Sequence, residues 1–432
     1  MKKALAILLA AAMGVSSLAT VALAEESADY EECTLTFDWW GGDSRHEATI
    51  AAIEAFEAKY PGITIDYNYG AWSDWETAKA AEYMSGNNPD IQQTNFDWIS
   101  KYDSDGSTYL DLYTVADTLD LTQYSETDLE TTQDVNGGLA GIPVSITGRT
   151  FYWNKATFEA AGLETPTSLE ELMAAGPVFQ ETLGDNYYPL VVGEYDRMIL
   201  MTYYLQGVYG TPIIGEDGTL NFTEEQLQEG IEWIGSLEEA HVIPTEEYII
   251  GEGADSMDKS ARFINGEYAG IFEWDSSPAK YVSALGDNGE NLVVGNVFEE
   301  LQSYKKVSLM FSISAKCEHP TEAALFLNYL LNDEEGAALM GAERGVPQSA
   351  AAYAVLEAAG AINALVAEAH EAVLSSDPLS WNPLFDDSSL KGDTSAYTDV
   401  FDGYSYGDYD AATAANILYT AMTSVDGINA AA

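Results

Sequence analysis

Tryptophans interleaved with carboxylates, amides and arginines are the residues of this chain best suited to chemistry. Trp39, Trp40, Trp72, Trp75, Trp98, Trp274 and Trp381 fall at the ends of predicted strands or in loops. Close to them in sequence stand Asp43 and Arg45, Asp74, Asn95 and Asp97, Asp275 and Ser276, and Asn382. A flat indole offers a platform for an apolar C–H face, and planar carboxylate, amide and guanidinium groups make paired hydrogen bonds to a rim of hydroxyls. A sugar ring presents both surfaces, so saccharide binding is the chemistry these residue types could do. Any one of the tryptophans is as readily a core residue as a platform. Trp39 and Trp40 are adjacent and must point to opposite faces of a strand. Gly41-Gly42 follows Trp40, so Trp40 is expected to be the exposed member and Trp39 the core one.

Catalytic patterns are less distinctive. With 71 Asp and Glu residues, carboxylate pairs fit for glycoside hydrolysis occur everywhere and single out no acid–nucleophile couple. The four histidines, His46, His241, His319 and His370, are scattered, and no His-x-x-x-His pair exists for zinc. There is no Gly-x-Ser-x-Gly elbow and no phosphate-cradling glycine loop. Asp103-Ser104-Asp105-Gly106 hints at a calcium loop, yet Lys101 and Leu112 would stand at its first and last ligand positions, so it reads as a turn. Cys33 and Cys317 are too few for a four-cysteine metal site, and spacing alone establishes no disulfide. Neither a metal nor a cofactor is expected.

The elements that must position these residues alternate. Residues 35–40 read as a strand, and a helical pattern carrying Ile50, Ile53, Ala55 and Phe56 follows. Tyr60-Pro61-Gly62 breaks it, 63–67 is a second strand, and a second helix ends at Gly86-Asn87-Asn88-Pro89 before a third short strand at 90–93. Strand–helix alternation makes the class α/β, and aromatics gathered at strand carboxyl ends lie where open α/β sheets bind ligands. Further on, 137–144 and 149–153 are separate strand candidates, and Ser168 with Glu171 marks a helix start. Thr223 and Gln226 have capping-box spacing at the head of an amphipathic helix over 223–240. The segment 263–274 reads as a helix end, a turn and a strand tipped by Trp274. Residues 307–313 form a strand and 320–331 a helix. An alanine-rich stretch over 350–374 is broken near Gly360, 376–410 is loop-like, and 411–422 is helical.

Composition narrows the function. A formal net charge of -54 repels phosphate backbones and anionic membranes, which excludes nucleic-acid binding. Lys2-Lys3, an apolar run and Ala22-Leu23-Ala24 have the form of a signal peptide over residues 1–24, so the mature protein is expected outside the cytoplasm. No cysteine directly follows the apolar run, so no lipid attachment is evident. The remaining length exceeds one typical domain and calls for two lobes.

Several ordered segments resemble one family. These are Phe37-Asp38-Trp39-Trp40-Gly41-Gly42 with Arg45-His46, Phe56-Glu57-Ala58-Lys59-Tyr60-Pro61-Gly62-Ile63, and Ser85-Gly86-Asn87-Asn88-Pro89-Asp90-Ile91. Gly141-Ile142-Pro143 with Tyr152-Trp153-Asn154-Lys155, then Phe263-Ile264-Asn265-Gly266-Glu267-Tyr268-Ala269-Gly270, His319-Pro320-Thr321-Glu322-Ala323-Ala324 and Arg344-Gly345-Val346-Pro347 complete the series. In this order they resemble family 1 of the extracellular solute-binding proteins, the carbohydrate-type receptors of bacterial ABC importers. The resemblance implies a two-lobed, periplasmic-binding-protein-like (type II) fold with a hinged interlobe cleft. It also implies a monomer that captures a sugar or oligosaccharide, hands it to the transmembrane permease subunits of an ABC transporter and catalyses nothing. By position it places Trp40, Asp43, Arg45, Trp72, Asn95, Trp274 and Arg344 in the cleft; Asp275 and Trp381 are added on their residue types alone. By analogy one lobe comprises 25–142 and 315–345, the other 146–308 and 350–432. Two alternatives stay open. A polyamine or other organic cation suits carboxylates and aromatic faces, although Arg45 and Arg344 oppose it, and a secreted glycoside hydrolase would show turnover.

Overall fold

The computed structural model describes residues 30–71, 75–254, 256–391 and 395–431. The proposed signal peptide, Trp72 and Asp74 lie outside them. The strands are β1 (Cys33–Trp40), β2 (Ile63–Gly70), β3 (Ile91–Thr94), β4 (Ile142–Asn154), β5 (Thr219–Leu220), β6 (Gly270–Trp274), β7 (Leu292–Gly295), β8 (Tyr304–Ile313), β9 (Leu379–Ser380) and β10 (Asn429–Ala430). The main sheet runs β2-β1-β3-β8-β4-β6, with β7 also on β4 and β9 on β8. β1 is parallel to β2 and β3, whereas β8 is antiparallel to both β3 and β4.

Among the described residues, two large apolar cores form around this sheet, with a smaller third cluster about Tyr152, Tyr268 and Ile271. In the first, Phe37 of β1 meets Phe311 of β8 and Phe326 edge-on, at centroid distances of 5.6 and 5.4 Å. Phe56 packs there from the helix Asp43–Lys59. That helix begins directly after Gly42 and buries Thr49, Ala52, Ile53 and Phe56 along one side. The second core is built from β4, β6 and the helices Glu194–Tyr209, Glu224–Glu239 and Ala411–Thr423. The expected capping box at Thr223 and Gln226 is present. Ser168 caps its helix by accepting from the Glu171 N–H, while the Glu171 carboxylate reaches back to Thr167 rather than to Ser168.

Four differences from the sequence reading have physical causes. The two strand candidates at 137–144 and 149–153 merge into one buried strand, β4, which begins only at Ile142, because Gly148 pairs with Lys305 inside the ladder instead of ending it. The polar segment 376–410 contains the helix Ala396–Ser405. Its Tyr397, Val400 and Phe401 recur at helical spacing among Asp, Gly and Ser. Trp40 is 9% exposed, not open to solvent: β1 is an interior strand covered on both faces, so Trp39 packs against Tyr69 and Trp40 against Trp98. Helix Ala350–Ala358 packs on the helices Pro320–Asn332 and Glu334–Met340, so it sits with the first core, not with the second to which everything after 350 was assigned.

β4 and β8 carry the chain between the cores. Ile142 and Val144 belong to the first, and Ile146, Phe151 and Trp153 to the second. The register shifts between Pro143 and Ile146, and Ser145 there bridges to Pro347. Gly345 lies opposite with φ +99°, where a Cβ would stand 3.2 Å from that of Ser145. Side chains rarely adopt such a φ.

Candidate functional site

A cleft of about 1210 Å³ opens between the two cores. That exceeds the roughly 300–1,000 Å³ of a small-ligand pocket and gives room for more than one sugar ring. One wall carries Trp40, Arg45, Asn95 and Phe96, and the other carries Lys306, Leu384, Asp386 and Lys391. The strand ends that were expected to gather ligand groups do so here: Trp40 ends β1, and Asn95 follows β3.

The cleft's charge departs from that of the chain. Five of the 17 Lys and Arg residues line it, Arg45, Lys101, Lys306, Arg344 and Lys391, against six of the 71 Asp and Glu. Two of these cations have neutral partners. Arg344 donates from Nε to Gln93 Oε1 (2.8 Å) and from Nη2 to Thr49 Oγ1 (3.0 Å). Its Nη1 is buried without a hydrogen-bond partner. Arg45 donates to the backbone carbonyls of Glu343 (2.9 Å) and Trp40 (3.1 Å). Burial, and then the Arg45 charge, push the Arg344 guanidinium pKa down against the pull of the Glu343 carboxylate, the one counter-charge acting on both arginines.

The opposite wall is a tight ionic cluster. Asp386 receives Lys306, accepts from the Tyr195 hydroxyl (2.5 Å) and has Lys391 Nζ at 3.6 Å. Burial alone would raise its pKa, but Lys306 and Lys391 hold it well below the usual carboxylate range. Asp97, also on the cleft, behaves oppositely. Burial first, then Asp386 and Glu76, push its carboxyl up to about 6 against the pull of Lys306.

Residues 42–337 match the family described as bacterial extracellular solute-binding protein. The chain belongs to this family. Among solved structures, a periplasmic oligogalacturonide-binding protein from Yersinia enterocolitica, in complex with saturated digalacturonic acid, is 34% identical. The match covers 90% of this chain and 99% of that one with a TM-score of 0.77. A periplasmic solute-binding protein from Pectobacterium atrosepticum is 31% identical over 92% of this chain and all of its own, with a TM-score of 0.83. A de novo designed cysteine esterase is 32% identical and superposes with a TM-score of 0.84, covering 92% and 98%; it is an engineered activity. Curated binding proteins of Brucella abortus and Brucella suis are 28% identical over 174 residues, and the match spans only 40% of their length. The fold is the type II, periplasmic-binding-protein-like one, and the family and these natural neighbours are binding proteins.

In this solute-binding protein, Trp40, Arg45, Asn95 and Arg344 of the expected set line the cleft. The other expected residues stand elsewhere or outside the described residues. Asp275 is 1% exposed and locked by Thr147 Oγ1 (2.6 Å) and His370 Nδ1 (2.7 Å), so its carboxylate is committed to the interior. Trp381 is buried in the second core, stacked on Tyr304 at 3.3 Å between centroids. It anchors the segment whose Pro383, Leu384 and Asp386 reach the cleft. Trp274 is half-buried behind the wall, with Arg149 and Lys306 against its ring. Asp43 is exposed in the first turn of its helix, where a carboxylate complements the helix dipole. Trp72 lies outside the described residues. Sequence reasoning missed Lys306, Asp386 and Lys391. The available signal was rarity, since any cation stands out in a chain this acidic. Among the described residues no helix is long and apolar enough to cross a membrane.

Proposed function

We propose that this protein is an extracytoplasmic receptor that captures an oligosaccharide bearing carboxylates and presents it to the permease of an ABC importer. One observation carries the choice of an anionic sugar. Arg45 and Arg344 sit side by side on the cleft with neutral partners, and Arg344 Nη1 has none. A guanidinium pairs with a planar carboxylate through two parallel hydrogen bonds, and a uronate supplies such a carboxylate on a ring that Trp40 and Phe96 can pack against. The Yersinia neighbour's ligand, digalacturonic acid, is of this class. Closure would follow from the ligand touching both walls and favouring the closed state by differential affinity, with Ser145 and Gly345 at the crossing.

An organic cation fits less well, because Asp386 is already neutralised by two lysines and Glu76 by Lys101. Titration calorimetry against digalacturonate, neutral disaccharides of equal size and spermidine tests the reading. Binding of the uronate alone is expected. Binding of spermidine alone, or of no saccharide by folded protein, overturns it. Asp97 held up beside an ionised Asp386 resembles a glycosidase acid pair, so the same samples are assayed for new reducing ends. None are expected.

A further inference from the structure

Away from the cleft, three acidic side chains converge from three helices, two of the second core and one packed on its smaller neighbour. Glu194 opens the helix Glu194–Tyr209, Glu246 opens the helix Glu246–Ile250, and Asp402 lies in Ala396–Ser405. One oxygen from each lies within 4.8 Å of the others. Glu246 is fully buried. Its Oε1 faces Arg197 Nε at 2.5 Å, but its Oε2 has no hydrogen-bond partner, and neither has the buried Asp402 Oδ1. The local charge does not balance. Arg197 is shared with Glu238, so one guanidinium faces four carboxylates. An uncompensated carboxylate inside a protein is expensive, and a cation held among the three would supply the missing charge.

We propose that Glu194, Glu246 and Asp402 form a calcium site that pins these three helices together. The donor set is all oxygen, as calcium takes, and water or carbonyls can complete its six to eight ligands. Magnesium would keep most of its own water and gains less from a three-carboxylate cage. Glu194 and Asp402 are partly exposed, which gives the ion an entry path.

The test is calcium titration of the whole EDTA-stripped protein at physiological salt, with thermal unfolding alongside. Expected are one tight equivalent and a melting temperature raised by calcium. Glu246→Gln and Asp402→Asn should each lose that equivalent. Asp402→Asn, at a partly exposed position, serves if the buried variant does not fold. Absence of a tight equivalent overturns the site. Its retention in Asp402→Asn, as for diffuse binding to an acidic surface, overturns it too.

Discussion

The Lys306 ammonium lies 4.8 Å from the centre of the Trp274 ring while pairing with Asp386 on the cleft wall. Trp274 is held on its side by Arg149, 4.5 Å from the same ring. The tryptophan thus steadies a cation that faces the ligand space and does not itself supply a sugar platform. Lys306→Met should weaken a uronate ligand by roughly tenfold, the scale of one charge-assisted hydrogen bond. Trp274→Ala should lower stability by about 1–3 kcal/mol, less than a fully buried tryptophan, with a smaller loss of affinity. Calorimetry and urea unfolding on both variants separate the roles. A larger affinity loss for Trp274→Ala than for Lys306→Met would return the ring to the ligand.

Trp381 is predicted to act on folding. Its ring fills space against Tyr304 and Phe385, so Trp381→Ala should cost about 3–5 kcal/mol, read as a lower denaturant midpoint. An unchanged midpoint with lost binding would contradict its burial.

The raised carboxyl of Asp97 gives the protein a pH response. Its native value of about 6 lies above the ordinary value of about 3.9. The stabilisation linked to its proton is therefore complete below about pH 4 and is lost as pH rises through 6. Protonation also removes one negative charge from the cleft, so affinity for an anionic saccharide should rise, by up to about tenfold, between pH 7.5 and 5. Asp97→Asn should flatten the profile. A profile unchanged in that variant would place the titrating group elsewhere.

Gly345 is predicted to be intolerant of a side chain. At φ +99° and 3.2 Å from the Ser145 Cβ, Gly345→Val should cost about 1–3 kcal/mol. Scattering with and without ligand should show a smaller change in radius of gyration than the parent protein. An unchanged melting temperature and full compaction would rule out a constrained crossing there.

What could be read from the sequence was what local pattern determines. The first strand–helix–strand unit announced itself because Tyr60-Pro61-Gly62 breaks a clear helical period, and Thr223 with Gln226 marked a helix start that the structure keeps. Long-range facts were hidden. Nothing near Asp275 in sequence discloses that His370, 95 residues away, takes its carboxylate. Trp381 beside Asn382 looks like a binding pair until Tyr304 is seen stacked on it. The lysines of the second wall come from β8 and from a polar loop, two segments that only the fold brings together. Arg45 and Arg344 were reached by resemblance, but that their hydrogen bonds go to neutral groups became visible only through their partners.

The central claim is that a ligand carboxylate completes Arg344. A thermodynamic cycle tests it most directly: calorimetry of digalacturonate and its methyl ester against the parent protein and Arg344→Met. The account predicts that esterification weakens binding to the parent and matters far less to the variant, with a coupling of about 1.5–3 kcal/mol. Equal binding of acid and ester by the parent protein would contradict it.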